Sequence, residues 1–123
     1  MERDTRQRRA IRQAIETAGR PVGAPEVLEA ARPLVPGLGM ATVYRTIKGL
    51  VEEGWLLAVD LPGEAPRYEV AGKAHHDHFR CRACNRVFEV ECSVRLSSKM
   101  PRGFVVEGHE TVLKGLCATC PRV

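Results

Sequence analysis

The sequence predicts an α+β chain: a helical first part in the order of a winged helix, then a smaller, strand-rich part built around cysteine. Three observations predict it. Apolar residues recur at helical spacing only before about residue 60, and short strand-like runs follow. All four histidines and all five cysteines lie beyond residue 74. Four of those cysteines form two C-x2-C pairs.

The first helix is expected from Thr5 to Ala18, because Ala10, Ile11, Ala14, Ile15 and Ala18 share one face and Gly19 ends it. Pro25 suits the first turn of a second helix that runs through Ala31 and turns Val27 and Leu28 inward. Pro33, Pro36, Gly37 and Gly39 then make a loop. A third helix is expected from Ala41 to Glu53, with Val43, Ile47, Leu50 and Val51 as its apolar stripe and Gly54 as its C-terminal cap. Trp55–Asp60 and Arg67–Val70 read as strands around the turn Leu61–Pro66. In a domain of three helices and a hairpin, the third helix enters the DNA major groove. Its stripe leaves Thr42, Tyr44, Arg45 and Lys48 to the edges and outer face, where they suit bases and phosphates. A solvated face explains the same composition equally well, and Thr42 is also a candidate N-cap.

Composition narrows the classes. A chain of 123 residues cannot hold a (β/α)8 barrel. With 44% hydrophobic and 28% charged residues it is an ordinary globular sequence. Aromatics make up only 5%, so a small core needs a metal, a disulfide or a second subunit. The net charge of +4 permits an anionic partner, and Arg3, Arg6, Arg8, Arg9 and Arg12 crowd the start of the chain. No stretch approaches the ~20 apolar residues of a membrane helix, and the first residues lack the apolar core of a signal peptide. A cytoplasmic location is expected, where paired cysteines hold metal more often than they form disulfides.

Cys81-Arg-Ala-Cys84 and Cys117-Ala-Thr-Cys120 are separated by 32 residues. Two such turns complete the tetrahedral four-cysteine shell of a structural zinc, and the long separation calls for folded structure between them. Four thiolates leave no open position, so the site is not catalytic. The rival, a redox C-x-x-C, needs only one pair. Just ahead lies His75-His76-Asp77-His78. In an extended segment His76 and His78 face one way, and His75 and Asp77 face the other, so the run can feed two sites. Glu69, Glu89, Glu91, Cys92 and His109 are further donors, each ordinary when taken alone. A small zinc-dependent enzyme and a zinc-stabilised interaction module are the alternatives from other classes. The first lacks an H-E-x-x-H motif and room for a substrate pocket.

With these motifs in place, the chain resembles the ferric uptake regulator family of bacterial metal-dependent transcriptional repressors over essentially its whole length. The resemblance is carried by Gly39-Met-Ala-Thr-Val-Tyr-Arg45, His75-His-Asp-His-Phe-Arg-Cys81 with Cys84, and Cys117-Ala-Thr-Cys120. It implies a winged helix-turn-helix DNA-binding domain over residues 1–72 and a small α/β dimerisation domain with the four-cysteine zinc site over 73–123. Arg8, Tyr44 and Arg45 are implied DNA contacts, beside Thr42 and Lys48 from the helix itself. Cys81, Cys84, Cys117 and Cys120 match structural zinc ligands. Glu69, His76, His78 and Glu89 match ligands of a regulatory hinge site, and His75, Asp77 and His109 match an additional site.

Two departures stand out. The hinge site of many members takes another His from the loop before the second helix, where this chain reads Arg20-Pro21-Val22. Peroxide-sensing members use that His, which disfavours a peroxide sensor. The stretch between the cysteine pairs is also shorter and removes an acidic ligand of the additional site, leaving Cys92 or Glu91 as its replacement. The implied protein is a non-enzymatic, homodimeric regulator of a palindromic double-stranded DNA operator. It carries structural Zn2+ and a second divalent metal, with zinc favoured over iron or manganese, and takes no membrane and no small-molecule substrate.

Overall fold

The computed structural model describes residues 5–73, 76–91, 100–109 and 111–120, and the chain divides into two compact units, Met1–Lys73 and Ala74–Val123. The architecture is α+β. Its elements run α1 (Thr5–Ala18), α2 (Ala24–Ala31), α3 (Met40–Glu52), β1 (Leu56–Val59), β2 (Arg67–Val70), β3 (Asp77–Cys81), β4 (Val87–Val90) and β5 (Val112–Gly115).

The first unit is a winged helix-turn-helix. Its core collects the residues that helical periodicity turns inward: Ile11 and Ile15 of α1, Val27 and Leu28 of α2, and Val43, Ile47 and Leu50 of α3. Leu56 of β1 completes it. The loop after α2 contributes more than its turn residues suggest, because Val35 and Leu38 are also buried. The helix α3 begins one residue earlier than its spacing predicts. Its N-cap is the extended Gly39, so Thr42 is not the cap. The Thr42 hydroxyl instead accepts a hydrogen bond from the Arg45 guanidinium at 3.2 Å.

At the other end of α3, the Gly54 amide bonds to the Val51 carbonyl and the Trp55 amide to the Leu50 carbonyl, both at 3.0 Å. Gly54 sits at φ +85°, so the chain leaves the helix through a left-handed residue and the last carbonyls stay paired. The strands β1 and β2 pair antiparallel, with Leu56 opposite Val70. Val22, in the loop before α2, exchanges two backbone hydrogen bonds with Tyr68 of β2, at 3.0 and 2.8 Å. This bridge adds a third, minimal strand to the wing. A single pair has no periodicity, so the sequence does not announce it.

The second unit is a three-stranded sheet in the order β4-β3-β5. The β3–β4 hairpin is antiparallel and places Asp77 opposite Val90 and His78 opposite Glu89. The β3–β5 pair is parallel and places Cys81 opposite Gly115. A Cβ at Gly115 would approach Phe79 Cζ to 3.1 Å, so glycine lets β5 lie close under that ring. Two strands thus fall between the cysteine pairs, which is the folded structure their separation calls for. Among the described residues this unit holds no helix.

The cap of α3 gives a paired prediction. A Cβ at Gly54 or Gly49 meets nothing within 4 Å, so each substitution reports backbone preference alone. Gly54→Ala should lower unfolding stability by about 1 kcal/mol, because alanine resists positive φ. Gly49→Ala, inside α3, should raise it by about as much. Urea unfolding checks both signs.

Candidate metal centre and nucleic-acid interface

The β3–β4 hairpin positions the first thiolate pair. Cys81 ends β3, its carbonyl accepts the Asn85 amide at 2.8 Å, and its amide bonds to the Arg86 carbonyl at 3.0 Å. Asn85 closes this turn at φ 62°, a conformation that asparagine tolerates better than most residues. The parallel ladder positions the second pair. Cys117 lies two residues past Gly115, and its amide donates to Cys81 Sγ at 3.4 Å.

The four sulfurs all lie within 4.8 Å of one another. Cys81 and Cys120 are 3.6 Å apart, Cys84 and Cys117 3.8 Å, and Cys117 and Cys120 3.5 Å. A disulfide would bring two sulfurs to about 2.0 Å, so none is formed here. Four sulfurs bonded to one zinc at about 2.3 Å stand about 3.8 Å apart along each edge of a tetrahedron. The spacing therefore fits zinc.

The local dipoles favour the thiolate form at Cys81 and Cys117. Backbone amides of Cys84 and Cys117 pull the Cys81 thiol down to about 5, against the effect of burial. The hydroxyl and amide of Thr119 lower Cys117, with the hydroxyl oxygen 3.4 Å from its sulfur. Cys120 goes the other way, pushed up to about 12 by its hydrogen bonds to Cys117 and Cys81. Without a cation the cluster therefore keeps a proton that a divalent ion must displace, and metal binding weakens in acid. Thr119 is a partner of Cys117 that residue spacing alone does not reveal. Asn85, directly after a C-x2-C, was a readable turn signal.

The histidine run divides as alternation predicts. His76 and His78 share one face, with ring centroids 4.8 Å apart at 74°. Glu89 lies opposite His78 in the ladder, and its Oε1 is 4.0 Å from His76 Nε2. These three donors converge on one face of the β3–β4 hairpin. Asp77 points the other way, is fully buried, and meets His109 Nε2 at 3.5 Å. His75 and Cys92 lie outside the described residues, and Glu91 is exposed just past β4. Glu69 is buried on β2 of the first unit.

In the loop that offers no histidine, Arg20 forms an ion pair with Glu26 at 2.7 Å. Burial raises the Glu26 carboxyl, but Arg20 and the Gly23 amide outweigh it and hold the group below its ordinary value. The loop is thus committed to the start of α2.

On α3, Tyr44, Arg45 and Lys48 are exposed and Thr42 is half-buried. Arg8 is placed differently. Its side chain is only 16% exposed and its guanidinium pairs with Glu53 at the end of α3, so it braces that helix from within the unit.

Comparison with known proteins agrees with this layout. The profile of the ferric uptake regulator family matches residues 2–112. The ferric uptake regulation protein of Campylobacter jejuni is 34% identical over 87 residues, 68% of this chain and 55% of that protein. The chain thus spans little more than half the length of that relative. The transcriptional regulator FurA of Mycobacterium tuberculosis is 28% identical over 122 residues, 96% of this chain and 82% of that protein. A zinc-bound manganese uptake regulator superposes with a TM-score of 0.79 at 26% identity, over 94% of this chain and 91% of that one. The Helicobacter pylori ferric uptake regulator, whose structure reveals three functional metal-binding sites, gives 0.75 at 20% identity, over 98% and 82%. At that identity the likeness shows the fold alone.

The thiolate geometry predicts about one zinc per chain in protein purified without added metal, retained through mild chelation. Cys81→Ser, which removes the buried ligand, should lose that zinc. Elemental analysis before and after chelation decides it, and a full zinc complement in the variant would refute the assignment.

Proposed function

The chain belongs to the ferric uptake regulator family, and on that premise we propose that it is a metal-responsive, DNA-binding transcriptional regulator that represses from a palindromic operator. One observation carries the reading. The α3 helix turns Tyr44, Arg45 and Lys48 to solvent, on a chain that also gathers four cysteine sulfurs at one point and two imidazoles with a carboxylate at another.

Arg45, steadied by the Thr42 hydroxyl, offers a planar fork to a base edge or phosphate, and Tyr44 a ring and a hydroxyl. Lys48 supplies a point charge for the backbone. The four-cysteine cluster takes a structural zinc that fixes the second unit. His76, His78 and Glu89, joined by Glu69, form the regulatory set, with zinc favoured over iron or manganese. His75, Asp77 and His109 form the additional set, completed by Cys92 or Glu91. A divalent ion in the regulatory set supplies a cross-link whose full complement of donors is available in only one arrangement of the chain. Imidazole binds a metal only through an unprotonated nitrogen, so acid works against the DNA-competent state.

Two chains are required to read a palindrome. Exposed apolar side chains in the second unit support pairing there: Phe104 is 67% exposed and Val105 81%. Such rings and branched chains gain from a partner surface. Among the described residues, no helix is long and apolar enough to cross a membrane.

Duplexes selected from a random pool in the presence of zinc provide the probe. Arg45→Ala should weaken operator binding by about 10- to 100-fold with zinc content unchanged, as expected for one base-contacting arginine. Lys48→Ala should mainly flatten the salt dependence. Mobility-shift titrations should also show binding that falls on removal of the exchangeable metal and weakens as pH drops toward about 6. Operator binding indifferent to chelators would sink metal responsiveness.

A further inference from the structure

Among the described residues, two glycines lie inside a helix or strand: Gly49 in α3 and Gly115 in β5. Gly115 has an internal reason, the Phe79 ring that a Cβ would meet at 3.1 Å. Gly49 has none. A Cβ there meets nothing within 4 Å, and its φ is not positive. Its carbonyl accepts the Glu53 amide at 2.9 Å, so the helix runs through it without a kink. Glycine is a poor helix former, and alanine would serve the fold better at this position.

The helix face supplies the reason. Arg45, Lys48, Gly49 and Glu52 stand at i, i+3, i+4 and i+7, on the side of α3 away from the buried Val43, Ile47 and Leu50. Arg45, Lys48 and Glu52 are exposed and Gly49 is half-buried. A homeodomain's recognition helix reads the major groove with residues at this same spacing. Arg45 suits a guanine edge and Glu52 a cytosine amino group, whereas a phosphate would be repelled by Glu52. The row is thus fitted to base edges, and a local helix rule is broken in the middle of it, as happens where a partner must sit. We propose that Gly49 is a specificity-determining position, whose bare backbone lets base-pair edges rest against α3 and so brings Arg45 within hydrogen-bonding reach of its base. The inference rests on the reading of this chain as a DNA-binding regulator.

Contact distances set the size of the effect. A methyl carbon stands about 1.5 Å beyond the Cα, so a surface resting on the glycine would be pushed back by about that much. A hydrogen bond of about 2.9 Å does not survive such a shift. Attraction to phosphates is long-range and sequence-independent, and it would change little. The signature is therefore a loss of sequence discrimination in a chain that folds at least as well as before.

The experiment compares the full chain with Gly49→Ala and Gly49→Leu, two good helix formers of increasing size. The probes are a duplex selected from a random pool by the unaltered chain with zinc present, and an unrelated duplex of equal length. Gly49→Ala should bind the selected duplex about tenfold more weakly, the worth of one good base contact, and Gly49→Leu more weakly still. Affinity for the unrelated duplex, its salt dependence and the zinc content should stay as they are, while urea stability rises. Undiminished binding of the selected duplex by both variants overturns the proposal. So does an equal loss on both duplexes, which would mean that general docking is disturbed and not the approach to base edges. Variants less stable than the unaltered chain overturn it as well, because the glycine would then serve the fold. An unaltered chain that prefers no selected duplex overturns the DNA-binding reading and this inference together.

Discussion

Two thiolate pairs 32 residues apart in sequence meet because β5 runs parallel to β3 with Gly115 opposite Cys81. Everything in the second unit hangs on that register. Side chains alternate along a strand, so a slip of one residue would turn every side chain to the opposite face and carry Cys117 away from Cys81. The same alternation sends His76 and His78 to one face and Asp77 to the other. Strands of four or five residues gain little from their own hydrogen bonds. A metal ion held by the four sulfurs at their ends would stabilise the fold as well, because its binding free energy becomes folding free energy.

The first unit is held in another way. Its helices close on an apolar core, and polar contacts fix how they end. Arg8 pairs with Glu53, and the Arg12 guanidinium lies 4.4 Å from the centre of the Trp55 ring, so α1 grips the C-terminal end of α3 twice. The exposed side of α3 is left to Tyr44, Arg45 and Lys48. The first unit is thus ordered by apolar burial, whereas the second buries few apolar side chains among its described residues and gathers four cysteine sulfurs at one point.

How far the sequence disclosed this depends on the range of each interaction. The helices of the first unit were legible because their signals are local: apolar spacing, Gly19 and Gly54 at positive φ, and Pro25 near a helix start. The α3 helix starts one residue before its apolar spacing begins, because Gly39 caps it without a side chain. The cysteine cluster was legible because metal coordination leaves a spacing rule. The partner of Arg8 was not, since Glu53 is 45 residues away and any exposed carboxylate would have served. For the same reason the Val22–Tyr68 bridge and the parallel sense of β5 had no local trace. The Thr119 hydroxyl beside the Cys117 sulfur leaves no sequence pattern beyond its position inside C-x2-C.

The Val22–Tyr68 bridge has a mechanical meaning. Tyr68 immediately precedes Glu69 on β2, and both backbone groups of Tyr68 that face Val22 are bonded to it. One residue further along the loop, Gly23 caps α2, and Arg20 in the same loop is tied to Glu26. A tug on Glu69 would therefore be shared by the wing and the N-terminal end of α2 and could not be absorbed by one strand bending alone. The wing and its supporting loop are thus joined by backbone hydrogen bonds and an ion pair into one connected block of the first unit.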